Sequence, residues 1–320
     1  MKNPVGKPVD YTPSSRRRID LTIPMEYSGF RLDQALAKLA PEYSRSRLQH
    51  WIKEGNVLLQ GKPCTIREKV WGGEKILLEA EPDPCETEHA PQEIALSILY
   101  EDDSLLVIDK PAGLVVHPGS GNRDGTMLNA LLHHAGELST VPRAGIVHRL
   151  DKETSGLLVV AKTLTAQTSL VRQLQERSVK RIYLALVHGH VDRDGTVDIP
   201  IGRHPAHRTR MAAIAQGKPA RTHYKVIDAF QGCTLVECSL ESGRTHQIRV
   251  HMQHLGHPLV GDPVYGSKPG KSENSALLAS FPRQALHATR LSFLHPEKGE
   301  LMTFESPIPQ DFAALLESLK

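Results

Sequence analysis

The sequence predicts an α+β protein with two domains, and three observations support this prediction. Helical periodicity is confined to a few short segments, and strand-like apolar runs recur along the rest of the chain. The strands and helices do not alternate regularly, which favours a mixed, largely antiparallel sheet over repeated βαβ units. An acidic stretch, residues 79–93, lacks Lys and Arg and predicts a linker before the larger domain, residues 94–320.

The N-terminal part of the chain predicts a small domain over residues 19–78, preceded by a mobile basic tail over residues 1–18. A first helix is expected from Gly29, with its apolar residues on one face, and Pro41 ends it. Ser44 is the expected N-cap of a second helix, and Gly55 follows its end. Short strands are expected at 57–59 and 75–78. The second helix has an apolar face (Leu48, Trp51, Ile52) and a largely basic face (Arg45, Arg47, Gln49, Lys53).

The larger domain contains most of the predicted strands. Strands are expected at 105–108, 114–118, 157–160, 182–188, 223–230, 233–240 and 246–252. A helix is expected after Gly125-Thr126, and another over residues 164–176. These elements are enough for one large core built on a sheet.

Composition excludes several classes of protein. The net charge of +3 is too small to indicate a nucleic-acid partner, so the distribution of charge has to supply that evidence. The four cysteines form no C-x-x-C pair, which favours reduced thiols in a cytoplasmic protein over disulfides or zinc. No apolar run approaches the roughly 20 residues of a membrane span.

Three other motifs carry weak signals. The glycines at 119, 121 and 125 are spaced one residue too widely for a dinucleotide fingerprint, and Gly266 to Ser272 is one residue short of a P-loop. His251, His254 and His257 have metal-ligand spacing, but no Cys or acidic residue accompanies them. Contact with RNA or structural hydrogen bonding is the better interpretation for these histidines, and no metal is expected.

The segment from Gly145 to Gly156 places a polar cluster directly before the buried strand 157–160. Asp151 is therefore expected in a loop at the edge of a sheet, where a carboxylate can be partly desolvated. The local sequence considered alone favours an ordinary turn aspartate that is capped by its own backbone.

Several motifs in one order resemble the RluA-type pseudouridine synthases. His148-Arg149-Leu150-Asp151 with Thr154-Ser155-Gly156 is similar to their catalytic motif. The residues around the small N-terminal helices resemble an S4 RNA-binding domain, although an ordinary amphipathic helix with a solvated basic face would look alike. Further similar stretches are Lys110 to Pro118, Lys180 to Tyr183, Gly243 to His251, Gly256 to Asp262, and Leu286 to Ala288.

The resemblance implies a pseudouridine synthase catalytic domain and an activity that needs no cofactor. It implies Asp151 as the catalytic carboxylate, with Arg249 pairing with it and orienting it. Tyr183 would pack against the uracil and assist removal of its C5 proton. Considered alone, Arg249 could be a surface arginine and Tyr183 a core tyrosine.

The same resemblance implies RNA contacts. A target uridine must leave its stack to reach Asp151, and Arg149 would either occupy the vacated space or contact a phosphate. His148 and Arg244 are also expected to contact RNA. Arg45 and Arg47 form one basic zone. A second basic zone, with no Asp or Glu, lies between residues 203 and 226 (Arg203, Arg208, Arg210, Lys218, Arg221, Lys225). The alternative for this second zone is a solvated charged loop.

The pattern is most similar to the D-type members of the family, which act on large-subunit (23S) ribosomal RNA. Residues 141–144 and 283–285 suggest that subtype. The expected protein is a cytoplasmic monomer that modifies ribosomal RNA, either free or within assembling particles. The alternatives are an RNA-binding or ribosome-assembly protein with an unused site, and a hydrolase using Asp151 with His148 or Ser155.

Overall fold

The computed structural model describes residues 17–40, 43, 45–80, 89–119, 121–207, 209–266 and 274–320. The chain divides into two compact units, Met1–Glu88 and His89–Lys320. The division falls inside the predicted linker. Most of the predicted tail, Ser44, Arg208, and the side chain of Arg47 lie outside the described residues.

The N-terminal unit is a four-stranded antiparallel sheet with two helices. Its sheet order is β1-β4-β2-β3. Leu36 of the first helix and Trp51 of the second are almost fully buried in one cluster with Ile76 of the sheet, so both predicted apolar faces are confirmed. The elements are β1 (Arg17–Thr22), α1 (Leu32–Leu39), α2 (Arg45–Lys53), β2 (Val57–Leu59), β3 (Lys62–Pro63) and β4 (Lys75–Ala80).

Two boundaries of this unit differ from the prediction. Arg17 and Arg18 belong to β1 and not to the tail, while Glu79 and Ala80 belong to β4 and not to the linker. The two strand ends pair with each other, Arg17 opposite Ala80. Their backbone groups are satisfied by this pairing, which a polar sequence does not reveal.

The second unit is built on a nine-stranded sheet of order β5-β6-β7-β14-β8-β13-β12-β9, with β15 beside β14. Only β7 and β14 pair in parallel, so the prediction of a mixed, largely antiparallel sheet is confirmed. A separate hairpin joins β10 and β11. The strands are β5 (Ser97–Glu101), β6 (Leu105–Lys110), β7 (Ser155–Ala161), β8 (Lys180–His188), β9 (Gly195–Asp198), β10 (Ile201–Arg203), β11 (Met211–Ala213), β12 (Arg221–Phe230), β13 (Cys233–Leu240), β14 (Leu286–Leu294) and β15 (Leu301–Glu305).

The helices of this unit cover both faces of the sheet, which explains the continuous apolar run in β7. Leu158 and Val160 face the largest core cluster, whereas Leu157 and Val159 face a second cluster that contains Leu170. A strand buried on both faces has no polar alternation. The helices are α3 (Met127–His134), α4 (Leu164–Gln175), α5 (Gln247–His254), α6 (Ser275–Ser280) and α7 (Gln310–Ser318).

Two predicted strands are wrong. Residues 114–118 make only a single bridge, between Val115 and Thr126. The predicted strand 246–252 is the helix α5. Ile248 and Met252 enter the largest core cluster, while Val250 packs against Tyr265 in another cluster. Because this helix is buried on several sides, its apolar residues alternate along the sequence as they would in a strand.

Candidate active site

Asp151 lies in the loop between a 3₁₀ segment, Pro142–Gly145, and β7. Its carbonyl oxygen accepts a hydrogen bond from the Thr154 N–H at 3.1 Å, which closes a turn at the start of the strand. Gly156 then allows β7 to meet β14. It has φ +110°, and a Cβ there would lie 2.3 Å from the Ala288 carbonyl oxygen. The turn and this glycine fix where the Asp151 side chain begins.

The Asp151 carboxylate is held by an arginine and not by its own backbone. Nη1 of Arg249, on α5, donates to Oδ2 of Asp151 at 2.9 Å, and both side chains are largely buried. The interpretation as a backbone-capped turn aspartate is therefore wrong. The structure brings together the two residues that the resemblance paired, across 98 positions of sequence.

A second carboxylate, Asp262, fixes the other edge of the Arg249 guanidinium. Nε and Nη2 of Arg249 donate to the two Asp262 oxygens at 2.7 and 2.9 Å. Asp262 also accepts backbone N–H groups from Val264 and Tyr265. Burial alone would raise the pKa of Asp262, but the hydrogen bonds and charge of Arg249 outweigh it and lower that pKa. The arginine is thus oriented from behind by a saturated, ionised carboxylate.

The buried guanidinium remains charged. Burial would lower the pKa of Arg249, but Asp262 and Asp151 together raise it above its usual value. The ring of Tyr265 stacks under the same guanidinium, with 5.0 Å between its centroid and Cζ. In this arrangement Oδ2 of Asp151 has a fixed partner, whereas no hydrogen bond from a described residue reaches Oδ1.

His246 faces the free oxygen of Asp151. Its Nε2 lies 3.9 Å from Oδ1, and its Nδ1 contacts the Tyr265 hydroxyl at 2.8 Å. That hydroxyl also accepts the Met211 N–H at 2.8 Å, so Tyr265 joins His246 to β11. Burial lowers the pKa of His246, against the opposing effect of Asp151. His246 also has φ +57°, a backbone conformation that is uncommon for residues other than glycine.

Tyr183 lies on β8, opposite Ala288 and Cys238, with 6% of its surface exposed. Burial raises the pKa of its hydroxyl, and the charge of Asp151 adds to the increase. Among the described residues, none hydrogen-bonds to this hydroxyl. Tyr183 is therefore a neutral phenol close to Asp151, with its polar group available.

The residues before Asp151 differ in their access to solvent. The Val159 N–H donates to Nε2 of His148, while Nδ1 of His148 is buried without a partner. Neither ring nitrogen can reach RNA in this conformation, so the geometry opposes the expected contact. Burial, followed by the nearby charge of Arg181, lowers the pKa of His148 to about 3. Arg149, in contrast, is exposed and makes no hydrogen bond to a described residue.

Lys110 supports the Asp151 loop from the side of β6. It is fully buried, and its ammonium group donates to the carbonyl oxygens of Pro111, Leu114 and Lys152 at 2.7, 2.9 and 3.0 Å. Burial lowers the pKa of Lys110 to about 7. Three acceptors match the three donors of the charged form, so the ammonium joins the loop after β6 to the residue that follows Asp151.

The predicted basic residues have different environments. Arg45 hydrogen-bonds to the buried Asp33, and Arg244 is exposed with Nε donating to the Pro219 carbonyl. Arg210 is exposed and lines a cavity of about 290 Å³ together with His254 and Tyr265. Arg221, placed in the same basic zone by the sequence, instead forms ion pairs with Asp198 and Glu241.

The competing chemistries find little support. Ser155 is buried and its hydroxyl contacts Nδ1 of buried His287, so it offers no reachable nucleophile for a hydrolase. His251 and His257 contact protein carbonyl groups, as expected for structural histidines. No cluster of three metal-ligating side chains occurs within the described part of the chain. Across those same residues, no helix combines the length and apolarity needed to span a membrane.

Several residues of the site were not assigned roles from the sequence: Asp262, His246, Tyr265, Lys110 and Arg181. Lys110, Arg181, His246 and Asp262 lie within the stretches that resemble the family. Membership in those stretches was the only indication in the sequence that these residues belong near the site. Their contacts join segments far apart in sequence, and single-chain patterns do not encode such contacts.

The fold and this site define an RNA-modifying enzyme class, and the comparisons agree. Residues 104–254 match the RNA pseudouridylate synthase family, and residues 30–76 match the S4 domain. The ribosomal large subunit pseudouridine synthase D of Nitrosomonas europaea is 58% identical over 94% of this chain and 88% of its own. The protein of the same name from Escherichia coli K12 is 52% identical, covering 96% of each chain.

A solved structure is also similar. Human RNA pseudouridylate synthase domain containing 1 has 28% sequence identity and a TM-score of 0.53, covering 75% of this chain and 97% of its own. The chain belongs to the RNA pseudouridylate synthase family. It is an RNA pseudouridine synthase with an N-terminal S4 domain.

Proposed function

We propose that this enzyme isomerises specific uridines of large-subunit ribosomal RNA to pseudouridine, with Asp151 as the catalytic carboxylate acting on a flipped-out uridine. The observation that carries the proposal is the one-sided pairing of Asp151. Oδ2 is held by Arg249, whereas Oδ1 lacks a hydrogen bond from a described residue and can approach a substrate atom. The RNA is proposed from the names of the similar proteins.

The reaction breaks the bond from N1 of uracil to C1′ of ribose and forms a bond from C5 to C1′. One proton leaves C5 and one is gained at N1, so the product is an isomer. Asp151 assists cleavage as a nucleophile or as a charge that stabilises the developing cation. Arg249, fixed by Asp262, keeps the carboxylate oriented throughout.

Tyr183 completes the proposed catalytic group. Its ring would pack against uracil, and its free hydroxyl would hydrogen-bond with the base while C5 loses its proton. Because burial raises its pKa, the phenol stays protonated near neutral pH, which favours packing and hydrogen bonding over a role as phenolate base. Arg149 would fill the space left by the flipped uridine or contact a phosphate, and its exposure supports either role.

The proposed RNA surface includes both units. In the N-terminal unit it involves Arg45 and Arg47, and in the catalytic unit Arg244, Arg208 and Arg210. We propose that the enzyme acts in the cytoplasm as a monomer, on free ribosomal RNA or on precursor subunits.

The test compares the wild-type protein with Asp151→Asn on unmodified large-subunit ribosomal RNA and on precursor subunits. Asn keeps the shape and one oxygen but removes the charge. Pseudouridine is mapped by carbodiimide labelling and primer extension. New stops with wild type and none with the variant are expected. Stops with both proteins would remove Asp151 from the mechanism, and absence of stops with wild type on either substrate would refute the ribosomal assignment.

The remaining alternative is an RNA-binding protein with an unused site. It predicts equal RNA affinity for both proteins and no pseudouridine with either. Measuring affinity and product on the same RNA separates this alternative from the proposed enzyme.

A further inference from the structure

Arg181 is a buried arginine beside the candidate active site that the proposed reaction does not use. It lies two residues before Tyr183 on β8, so both side chains emerge from the same face of the strand. Only 7% of Arg181 is exposed, and its Nε is buried without a hydrogen-bond partner. No described residue accepts a hydrogen bond from its guanidinium or forms an ion pair with it.

The other buried arginines of the described chain are paired. Arg249 has Asp151 and Asp262, while Arg283 binds Asp311 through two nitrogens and also donates to the Glu153 carbonyl. Burying a guanidinium without an acceptor is costly, and buried charges are normally compensated. Arg181 is therefore a buried cation that no anionic group of the described residues compensates.

The groups around Arg181 do not compensate its charge. His148 is uncharged near neutral pH because burial and the charge of Arg181 lower its pKa to about 3. Tyr183 is likewise neutral, since burial raises its pKa. Neither neighbour is an anion, so no described residue around Arg181 supplies the missing negative charge.

Gly243 packs directly against the guanidinium of Arg181. An ideal Cβ at Gly243 would lie 2.6 Å from Nη1 of Arg181, so a side chain there would collide with the guanidinium. Gly243 itself is exposed and does not have a left-handed backbone, so the close approach, and not the backbone conformation, favours glycine. The outer edge of the guanidinium thus lies next to an exposed loop, where a polymer could reach it.

We propose that Arg181 binds a phosphodiester group of the RNA next to the target uridine. This inference rests on the proposed function, in which that uridine enters the site of Asp151 and Tyr183. A phosphodiester carries a permanent negative charge and accepts two N–H groups of one guanidinium. Uracil is neutral before the reaction and could not offset the charge in the bound state.

The test uses an RNA fragment containing a uridine that the wild-type enzyme modifies. The phosphate on its 5′ or its 3′ side is replaced by a neutral methylphosphonate. Binding is measured in the inactive Asp151→Asn protein, with and without Arg181→Gln. Lys180→Gln is the matched control because Lys180 is the exposed neighbour on the same strand.

Arg181→Gln is expected to weaken binding by about 10- to 100-fold, and one methylphosphonate should cause a similar loss. The substitution and the methylphosphonate combined should weaken binding no more than either change alone. With Arg181→Gln, the slope of log Kd against the logarithm of the salt concentration should fall by about 0.7–0.9. Lys180→Gln should leave the effect of the methylphosphonate unchanged. Additive losses at both linkages, or unchanged RNA binding by Arg181→Gln, would overturn the proposal.

Stability gives an independent check. Arg181→Met should raise the melting temperature of the RNA-free protein, because it replaces an unpaired buried charge with an apolar chain of similar length. A lowered melting temperature would show that the chain itself compensates Arg181. Failure of the proposed function is distinguishable, since the wild-type enzyme would then produce no pseudouridine in the fragment at all.

Discussion

Each unit contains a cluster of aspartate and arginine side chains, and the ratio of carboxylates to guanidinium groups is opposite in the two clusters. In the N-terminal unit, one carboxylate, Asp33, lies between Arg31 and Arg45. In the catalytic unit, one guanidinium, Arg249, lies between Asp151 and Asp262. The first cluster has an excess positive charge, and the second has an excess negative charge.

The two clusters also differ in which group is saturated. Asp33 is fully buried and accepts hydrogen bonds from Arg31, Arg45 and Gln49, while both arginines remain partly exposed. Burial would raise the pKa of Asp33, but the Arg45 and Gln49 hydrogen bonds contribute to lowering it. Asp33 thus fixes two arginines that remain accessible to solvent.

In the catalytic cluster each nitrogen of the arginine donates to a carboxylate, and Asp151 keeps an oxygen without a hydrogen bond from a described residue. A reactive carboxylate is therefore recognised by the oxygen that it leaves unbonded, since both clusters combine the same residue types, aspartate and arginine.

The largest effect is expected from Arg249→Met, which leaves two buried carboxylates without their cation. We expect kcat to fall by more than about 10³-fold. The free energy of unfolding should fall by about 3–5 kcal/mol. Single-turnover conversion of RNA and urea unfolding measure the two effects. Near wild-type turnover would show that Asp151 does not need its arginine.

Asp262→Asn should have an intermediate effect on catalysis. The amide oxygen can still accept the Val264 and Tyr265 N–H groups, but the guanidinium of Arg249 loses its ionic clamp. We expect kcat to fall by about 10- to 100-fold through misorientation of Asp151, with little change in KM. A rise in KM of the same size, with kcat unchanged, would instead place Asp262 in RNA binding.

Asp33→Asn tests the opposite cluster. Arg31 and Arg45 lose the group that orients them, so RNA binding should weaken by about tenfold while kcat is unchanged. Arg67→Gln is the control, because Arg67 is an exposed cation of the same unit. Tighter binding by Asp33→Asn would show that net charge matters more than the orientation of the arginines.

The smallest effect concerns acid stability. His148 has a pKa lowered to about 3, so its contribution is complete above about pH 6.5 and is lost as the pH falls toward 3. The pKa of Asp33 is lowered, so its contribution is lost only below about pH 3.9. Between pH 7 and pH 5 the catalytic unit should therefore lose up to about 2 kcal/mol from His148, and the N-terminal cluster should lose little.

Urea unfolding at the two pH values can separate the units. Both tryptophans, Trp51 and Trp71, belong to the N-terminal unit, so their fluorescence reports on that unit while circular dichroism reports on both. His148→Gln retains an acceptor for the Val159 N–H. It should reduce the pH dependence of the unfolding that is followed by circular dichroism. If the pH dependence of stability is unchanged in His148→Gln, the other buried histidines account for it.

The small helices and most strands could be predicted because their apolar periodicity reflects burial on one face, as for Leu36 and Trp51. The helix α5 could not, because its several buried faces erase that periodicity. The family resemblance predicted that Arg249 pairs with Asp151. The contact of Asp262 with Arg249 is visible only in the folded structure.

By itself, the sequence determined the α+β class, the family resemblance, and Asp151 as the expected reactive residue. Those conclusions depend on local periodicity and on motifs that are contiguous in the chain. Only the tertiary structure decided that Asp262 fixes Arg249, that the His148 nitrogens face inward, and that Arg181 is buried without a partner. Hydrogen bonds and burial join residues distant in sequence, so their geometry exists only once the chain has folded.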